Sequence, residues 1–137
     1  MPSGSTANIG LTIPTVGGDS NIWGTELNGN LTIIDRLGVG NIWNVSSNFS
    51  VSYNAAAEQF YRITSGGLTV TGTLPDPATI PLGKLFTFKL LDIGGVNLQC
   101  SNPGVFIDGA AIWSLVNQYN FVRLLSVGST YDVVASS

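Results

Sequence analysis

Phe49-Ser50-Val51-Ser52-Tyr53 alternates large apolar and small polar side chains with a period of two, the pattern of a strand with one face buried. Runs of similar character fill the rest of the chain. They are Phe60 to Thr64, Leu68 to Thr73, Lys84 to Leu91, Val96 to Cys100, Val105 to Ile107, Ile112 to Leu115, Asn120 to Ser126 and Thr130 to Ala135. Turn-forming groups divide them, among them Asp92-Ile93-Gly94-Gly95, Asn102-Pro103-Gly104, Asp108-Gly109 and Val127-Gly128-Ser129. Ser65-Gly66-Gly67 predicts a hairpin joining the strands on either side. The segment from Leu74 to Pro81 carries Pro75, Pro77 and Pro81, which remove ladder donors, so it is expected to cross between two sheets or edges. Short strands at this spacing predict a mainly β body, an antiparallel β-sandwich or small barrel.

Upstream, Asn41 to Asn44 carries Ile42 and Trp43 and is expected to fold back on the body, and Ala55 to Ala57 with Glu58 could form one helical turn. Gly38-Val39-Gly40 marks a change of organisation. Before it the chain predicts an extended arm that turns at Gly17-Gly18, caps at Asp19 or Ser20 and enters one short amphipathic helix. Trp23, Leu27, Leu31 and Ile34 share one face of that helix. Residues 1–40 are therefore expected to form an arm and helix, and 41–137 the β body.

The 137 residues fit a single-domain length and can bury a core without cross-links. Charged residues are 9% of the chain, against a typical ~25%, while hydrophobic residues reach 44%. A lone soluble monomer so poor in charge would be weakly protected against association, which implies that much of the surface is buried in an assembly. The five basic residues, Arg36, Arg62, Lys84, Lys89 and Arg123, are scattered singly in a chain of net charge −3. That excludes a phosphate-neutralising stripe and a polybasic membrane surface, so nucleic acid and membrane are not expected partners. The apolar runs are too short to span a bilayer. Met1-Pro2-Ser3-Gly4-Ser5-Thr6 lacks the basic start and apolar core of a secretion signal, which implies synthesis in a cytoplasm. Without such a signal the three Asn-x-Ser/Thr triplets at Asn30, Asn44 and Asn48 carry no weight.

Two stretches resemble tail-fibre and related appendage proteins of tailed bacteriophages. The first is the series Ile13-Pro14, Gly18-Asp19-Ser20, Trp23-Gly24, Leu27-Asn28 and Ile34-Asp35, covering about residues 9 to 37. The second is looser: Ile80-Pro81-Leu82-Gly83, Phe86 to Lys89, Ile107-Asp108-Gly109, Phe121 to Leu125 and Tyr131-Asp132-Val133-Val134 resemble the C-terminal β modules of phage fibres and spikes. The resemblance implies a virion structural protein whose first segment docks on the capsid or tail, and it implies a homotrimer. A chain this short suits a short fibre, an adaptor or a capsid decoration protein.

On this reading the attachment residues are Pro14, Trp23, Leu27, Leu31 and Ile34, with Asp19 or Ser20 as helix cap. Each large apolar anchor is worth about 1.5–3 kcal/mol when fully buried, and the cap about 1 kcal/mol. No catalytic, metal or cofactor site is expected. The chain has no histidine, and its single cysteine, Cys100, falls on the apolar side of an alternating run beside Val96 and Leu98. Asp92 and Asp108 adjoin glycine-bearing turns and read as turn residues rather than as an acid pair; Asp35 and Asp132 lie apart from them. A second expectation, a module recognising host-surface glycan, rests on Trp43, Trp113, Tyr61, Tyr119 and Tyr131, which could stack on sugar rings if exposed together.

Overall fold

A computed structural model describes residues 4–5, 11–13, 23–37, 41–54, 56 and 58–137. The chain divides into two compact units, Met1–Gly40 with Ala55–Ala57, and Asn41–Asn54 with Glu58–Ser137. In the first unit, strand β1 (Gly4–Ser5) pairs antiparallel with β2 (Thr12–Ile13). Helix α1 (Trp23–Leu37) follows. Two glycines, two asparagines and four β-branched residues give this helix poor intrinsic propensity. Thr32 Oγ1 donates back to the Asn28 carbonyl at 2.9 Å, a bond that competes with regular helix geometry. The capping residues Asp19 and Ser20, and the expected helical turn at Ala55 to Ala57, fall outside the described residues apart from Ala56.

The second unit is built from β3 (Asn41–Val45), β4 (Phe49–Ser50), β5 (Glu58–Ile63), β6 (Thr69–Leu74), β7 (Leu85–Leu90), β8 (Gly95–Cys100), β9 (Ile112–Leu115), β10 (Phe121–Ser126) and β11 (Tyr131–Ser136). They form two sheets of order β11-β10-β7-β5-β3 and β4-β6-β8-β9. The inner faces share one hydrophobic cluster. The larger sheet contributes Ile63, Phe86, Phe88, Leu90, Val122, Leu124 and Tyr131, and the smaller contributes Val70, Leu74, Val96, Leu98 and Leu115. Cys100 lies in the same cluster as a buried free thiol, as the alternation of its strand implies. The body is thus mainly β, with its sheets packed across a common core.

The sheets are mixed rather than antiparallel: four of the seven ladders of this unit are parallel. The reason is the path of the chain. From β3 to β8 successive strands alternate between the sheets, so each strand lies beside the one two steps earlier and runs the same way. The two sheets therefore wind together from Asn41 to Cys100, and β9, β10 and β11 close the structure with antiparallel neighbours. Ser65-Gly66-Gly67 is accordingly an arch between sheets and not a hairpin. Gly66 and Gly67 both have positive φ, 67° and 82°, which a β-hairpin turn and an arch can each require. Asn41 to Val45 does not merely fold back; it is an edge strand paired in parallel with β5.

The proline segment crosses from β6 in one sheet to β7 in the other, as its composition requires. A single 3-10 turn, Pro77–Thr79, forms there, capped by the Asp76 carboxylate accepting from the Ala78 amide at 3.0 Å. On β6, Gly72 faces inward where a Cβ would stand 2.6 Å from Phe49 Cζ and 2.8 Å from Leu98 Cδ2. The missing side chain makes room for the Phe49 ring.

Candidate functional surfaces

Three surfaces among the described residues are candidates for contact with a ligand or partner. The first is the helix stripe. Leu27, Leu31 and Ile34 are 46%, 52% and 49% exposed, far from buried for large apolar side chains. Trp23 opens α1, but its side chain, together with Pro14, Asp19 and Ser20, falls outside the described residues.

The second is a groove beside the first turn of the winding. The in-register partners Trp43, Tyr61 and Phe88 stack across β3, β5 and β7. Their ring centroids are 5.1 Å apart at both steps, with interplanar angles of 13° and 18°. Phe49 stacks on Tyr61 from the opposite sheet at 5.5 Å. At the open end of this row lies a groove of about 260 Å³, lined by Trp43, Val45, Phe49 and Tyr61 and by the polar residues Ser50, Ser52, Tyr53 and Asn54.

A buried amide ties this groove down. Gln59, fully enclosed, donates through Nε2 to the Ser52 carbonyl at 2.8 Å and to the Tyr61 hydroxyl at 3.2 Å. Its Oε1 accepts from the Asn54 amide at 3.0 Å. Nearby, Lys84 donates to the Asn54 carbonyl at 3.1 Å and sits over the rings of Tyr53 and Phe86 at 5.5 and 5.7 Å. Burial pushes the Lys84 ammonium down to about 8, with Glu58 pulling the other way.

The third surface is the outer face of the five-stranded sheet. Phe60, Leu85, Phe121 and Leu125 are half-buried there, and Ile42 is 64% exposed. Across its centre Arg123 Nη2 meets Glu58 Oε2 at 3.1 Å, while the Thr87 hydroxyl donates to Glu58 Oε1. Side-chain exposures of 41% and 31% make this ion pair a weak source of stability. The outer face of the other sheet differs in kind, with neutral Thr71, Asn97 and Ser114 in register and Ser114 Oγ donating to Asn97 Oδ1 at 2.8 Å.

The remaining candidates are not gathered into one site. Trp43 and Tyr61 stack together, but Tyr131 is fully buried, its hydroxyl donating to the Pro75 carbonyl at 2.7 Å. Burial, reinforced by Cys100 and Asp76, raises the Tyr131 phenol. Trp113 packs half-buried against the core, and Tyr119 stands 61% exposed elsewhere. Asp92 and Asp108 serve turns. Asp92 accepts from the Ser65 amide at 3.0 Å, the Ser65 hydroxyl at 3.0 Å and the Gly66 amide at 2.7 Å. Desolvation works to raise its carboxyl, but these bonds prevail and hold it below the usual range. Asp108, itself at positive φ, accepts from the Val133 amide at 3.1 Å.

The Trp43–Tyr61–Phe88 row was not readable in the sequence, because its members lie 18 and 27 residues apart with no repeat between them. Among the described residues no cluster of His, Cys, Asp or Glu could hold a metal ion. No described helix is long and apolar enough to cross a membrane. No family model matches the chain, and no curated protein matches it.

Proposed function

We propose that this chain is a non-enzymatic structural protein of a bacteriophage virion that self-associates and docks on the capsid or tail through residues 1–40. The observation that carries the reading is α1: a glycine- and asparagine-rich helix with Leu27, Leu31 and Ile34 turned to solvent. A helix of 15 residues with this composition is marginal alone and gains most of its stability from the surface its apolar face covers. The low charge of the whole chain supports burial in an assembly, and the two phage-like sequence stretches supply the kind of assembly. The homotrimer remains part of the proposal on the strength of that resemblance. Trp23→Ala with Leu27→Ala should abolish incorporation into particles while the thermal melt of the β body is unchanged. Normal copy number of the double variant in purified virions would overturn the docking role.

The groove at Trp43 favours a second reading, recognition of a neutral glycan on the host surface. Flat aromatic rings beside hydroxyl and amide groups are suited to a sugar's apolar face and its hydroxyls. Titration with host polysaccharide should quench tryptophan fluorescence in the wild type and much less in Trp43→Ala; no quenching at millimolar sugar counts against it.

A further inference from the structure

The outer face of the five-stranded sheet has a pattern that its strand register makes visible. A middle row runs Ile42, Phe60, Thr87, Arg123 across β3, β5, β7 and β10. On one side of it lie Arg62, Lys89 and Phe121; on the other lie Glu58, Leu85, Leu125 and Asp132. Arg62 and Lys89 thus lie on one flank and Glu58 and Asp132 on the other, with Arg123 on the middle row, while Phe121 and Leu125 place an apolar corner on each flank.

We propose that this face is an interface between two copies of this chain, related by a twofold axis that lies along the middle row. The inference rests on the self-association part of the reading above and names the surface and symmetry. Rotation about that axis turns the second copy over and exchanges the flanks. Arg62 then meets Glu58 of the second copy, Phe121 meets its Leu125, and Phe60 meets Phe60. The Lys89 stem lies over Leu85, where its methylenes cover the leucine and its ammonium reaches the rim. On the axis Arg123 meets Arg123 of the second copy, each neutralised by its own Glu58 at 3.1 Å, whereas Lys89 has no such partner among the described residues. A carboxylate has lone pairs enough to accept a second guanidinium. The alternative twofold, along the strands, sets Lys89 on Lys89 and Arg62 on Phe121. Charge and apolar complementarity select the first. Five strands of about six residues make a face on the order of 400 Å² per copy in projection, about 800 Å² for the pair and below the ~1,200–2,000 Å² of a stable complex, so the pairing should be weak and depend on concentration.

The test is the mass of the full chain by sedimentation over a concentration series. Two copies are expected, or six if the threefold contact also operates. Phe60→Asp and, separately, Leu125→Arg should each halve the mass, with circular dichroism and melting unchanged. Oxidised Phe60→Cys should give a covalent dimer, whereas Asn97→Cys on the opposite outer face should not. A wild-type mass of one or three copies would overturn the proposal. So would a mass untouched by both face variants together with no Phe60→Cys dimer. If substitution of Leu27 and Leu31 lowers the mass while the face variants do not, the copies meet through α1 and the sheet-face proposal fails. Loss of particle incorporation on changing Trp23 and Leu27 is a separate readout and would leave the docking role standing in that case.

Discussion

Lys84 shows how one residue couples the fold to pH. It is 6% exposed; its bond to the Asn54 carbonyl and its place over two aromatic rings favour the ammonium, but the burial itself disfavours it and prevails. Its folded value is about 8, whereas an unfolded lysine titrates near 10.5. Between these values the unfolded chain binds the proton and the folded chain does not, so stability rises with pH across that window. Below pH 8 both states hold the proton and the cost of burying the cation is present in full. The urea midpoint of the wild type should therefore climb from pH 8 to pH 10, and that climb should vanish in Lys84→Met. A wild-type midpoint that is flat or falling over the same range would show that the ammonium is better solvated than its burial implies. Above pH 10 the buried Tyr61 and Tyr131, both raised by burial, act in the opposite direction.

At the scale of elements, the arch from β5 to β6 (64–68) and the arch from β7 to β8 (91–94) brace each other. The Gly95 amide donates to the Leu68 carbonyl at 2.9 Å, and the Asp92 carboxylate gathers the Ser65 and Gly66 amides. A Cβ on Gly94 would meet the Ser65 hydroxyl and stand 2.6 Å from the Leu68 carbonyl oxygen, which is backbone and cannot swing away. Gly94→Ala should cost about 1–3 kcal/mol, read as a lowered urea midpoint with an unchanged slope; a midpoint equal to wild type would mean the arches are not in contact. These arches also mark the limit of what could be read without coordinates. Alternation in Val96-Asn97-Leu98-Gln99-Cys100 locates a strand and its buried face, because one face of a sandwich sheet must be apolar. It does not say which sheet the strand joins, since an inward Val96 satisfies the core from either side. The glycines of Ser65-Gly66-Gly67 supply positive φ, and that need is common to a hairpin and to an arch; only the ladders, β5 with β3 and β7 and β6 with β4 and β8, distinguish them. The proline segment was legible as a crossing because missing amide donors exclude a ladder whatever the surroundings.

For the whole molecule, the two outer faces of the sandwich are of opposite character. One is uncharged, with hydroxyls and amides beside the exposed Ile112; the other interleaves half-buried aromatics and leucines with five of the chain's few charges, Glu58, Arg62, Lys89, Arg123 and Asp132. At 9% charge the composition leaves a domain of this size weakly protected against association. Composition does not say which residues share a face, because the interleaving appears only when strands 18 to 27 residues apart are laid in register. The helix stripe was legible at Leu27, Leu31 and Ile34 because their spacing places them on one side of any helix.

Each circuit of the chain from one sheet to the other and back pairs only with its immediate neighbours, and β3 begins the series with an uncharged edge of five residues. Architecture of this kind lengthens by whole laps rather than by stretching any single strand. A descendant of this polypeptide could grow taller by duplicating a lap beneath Asn41, keeping the antiparallel lid made by the last three strands and every contact near it as they are.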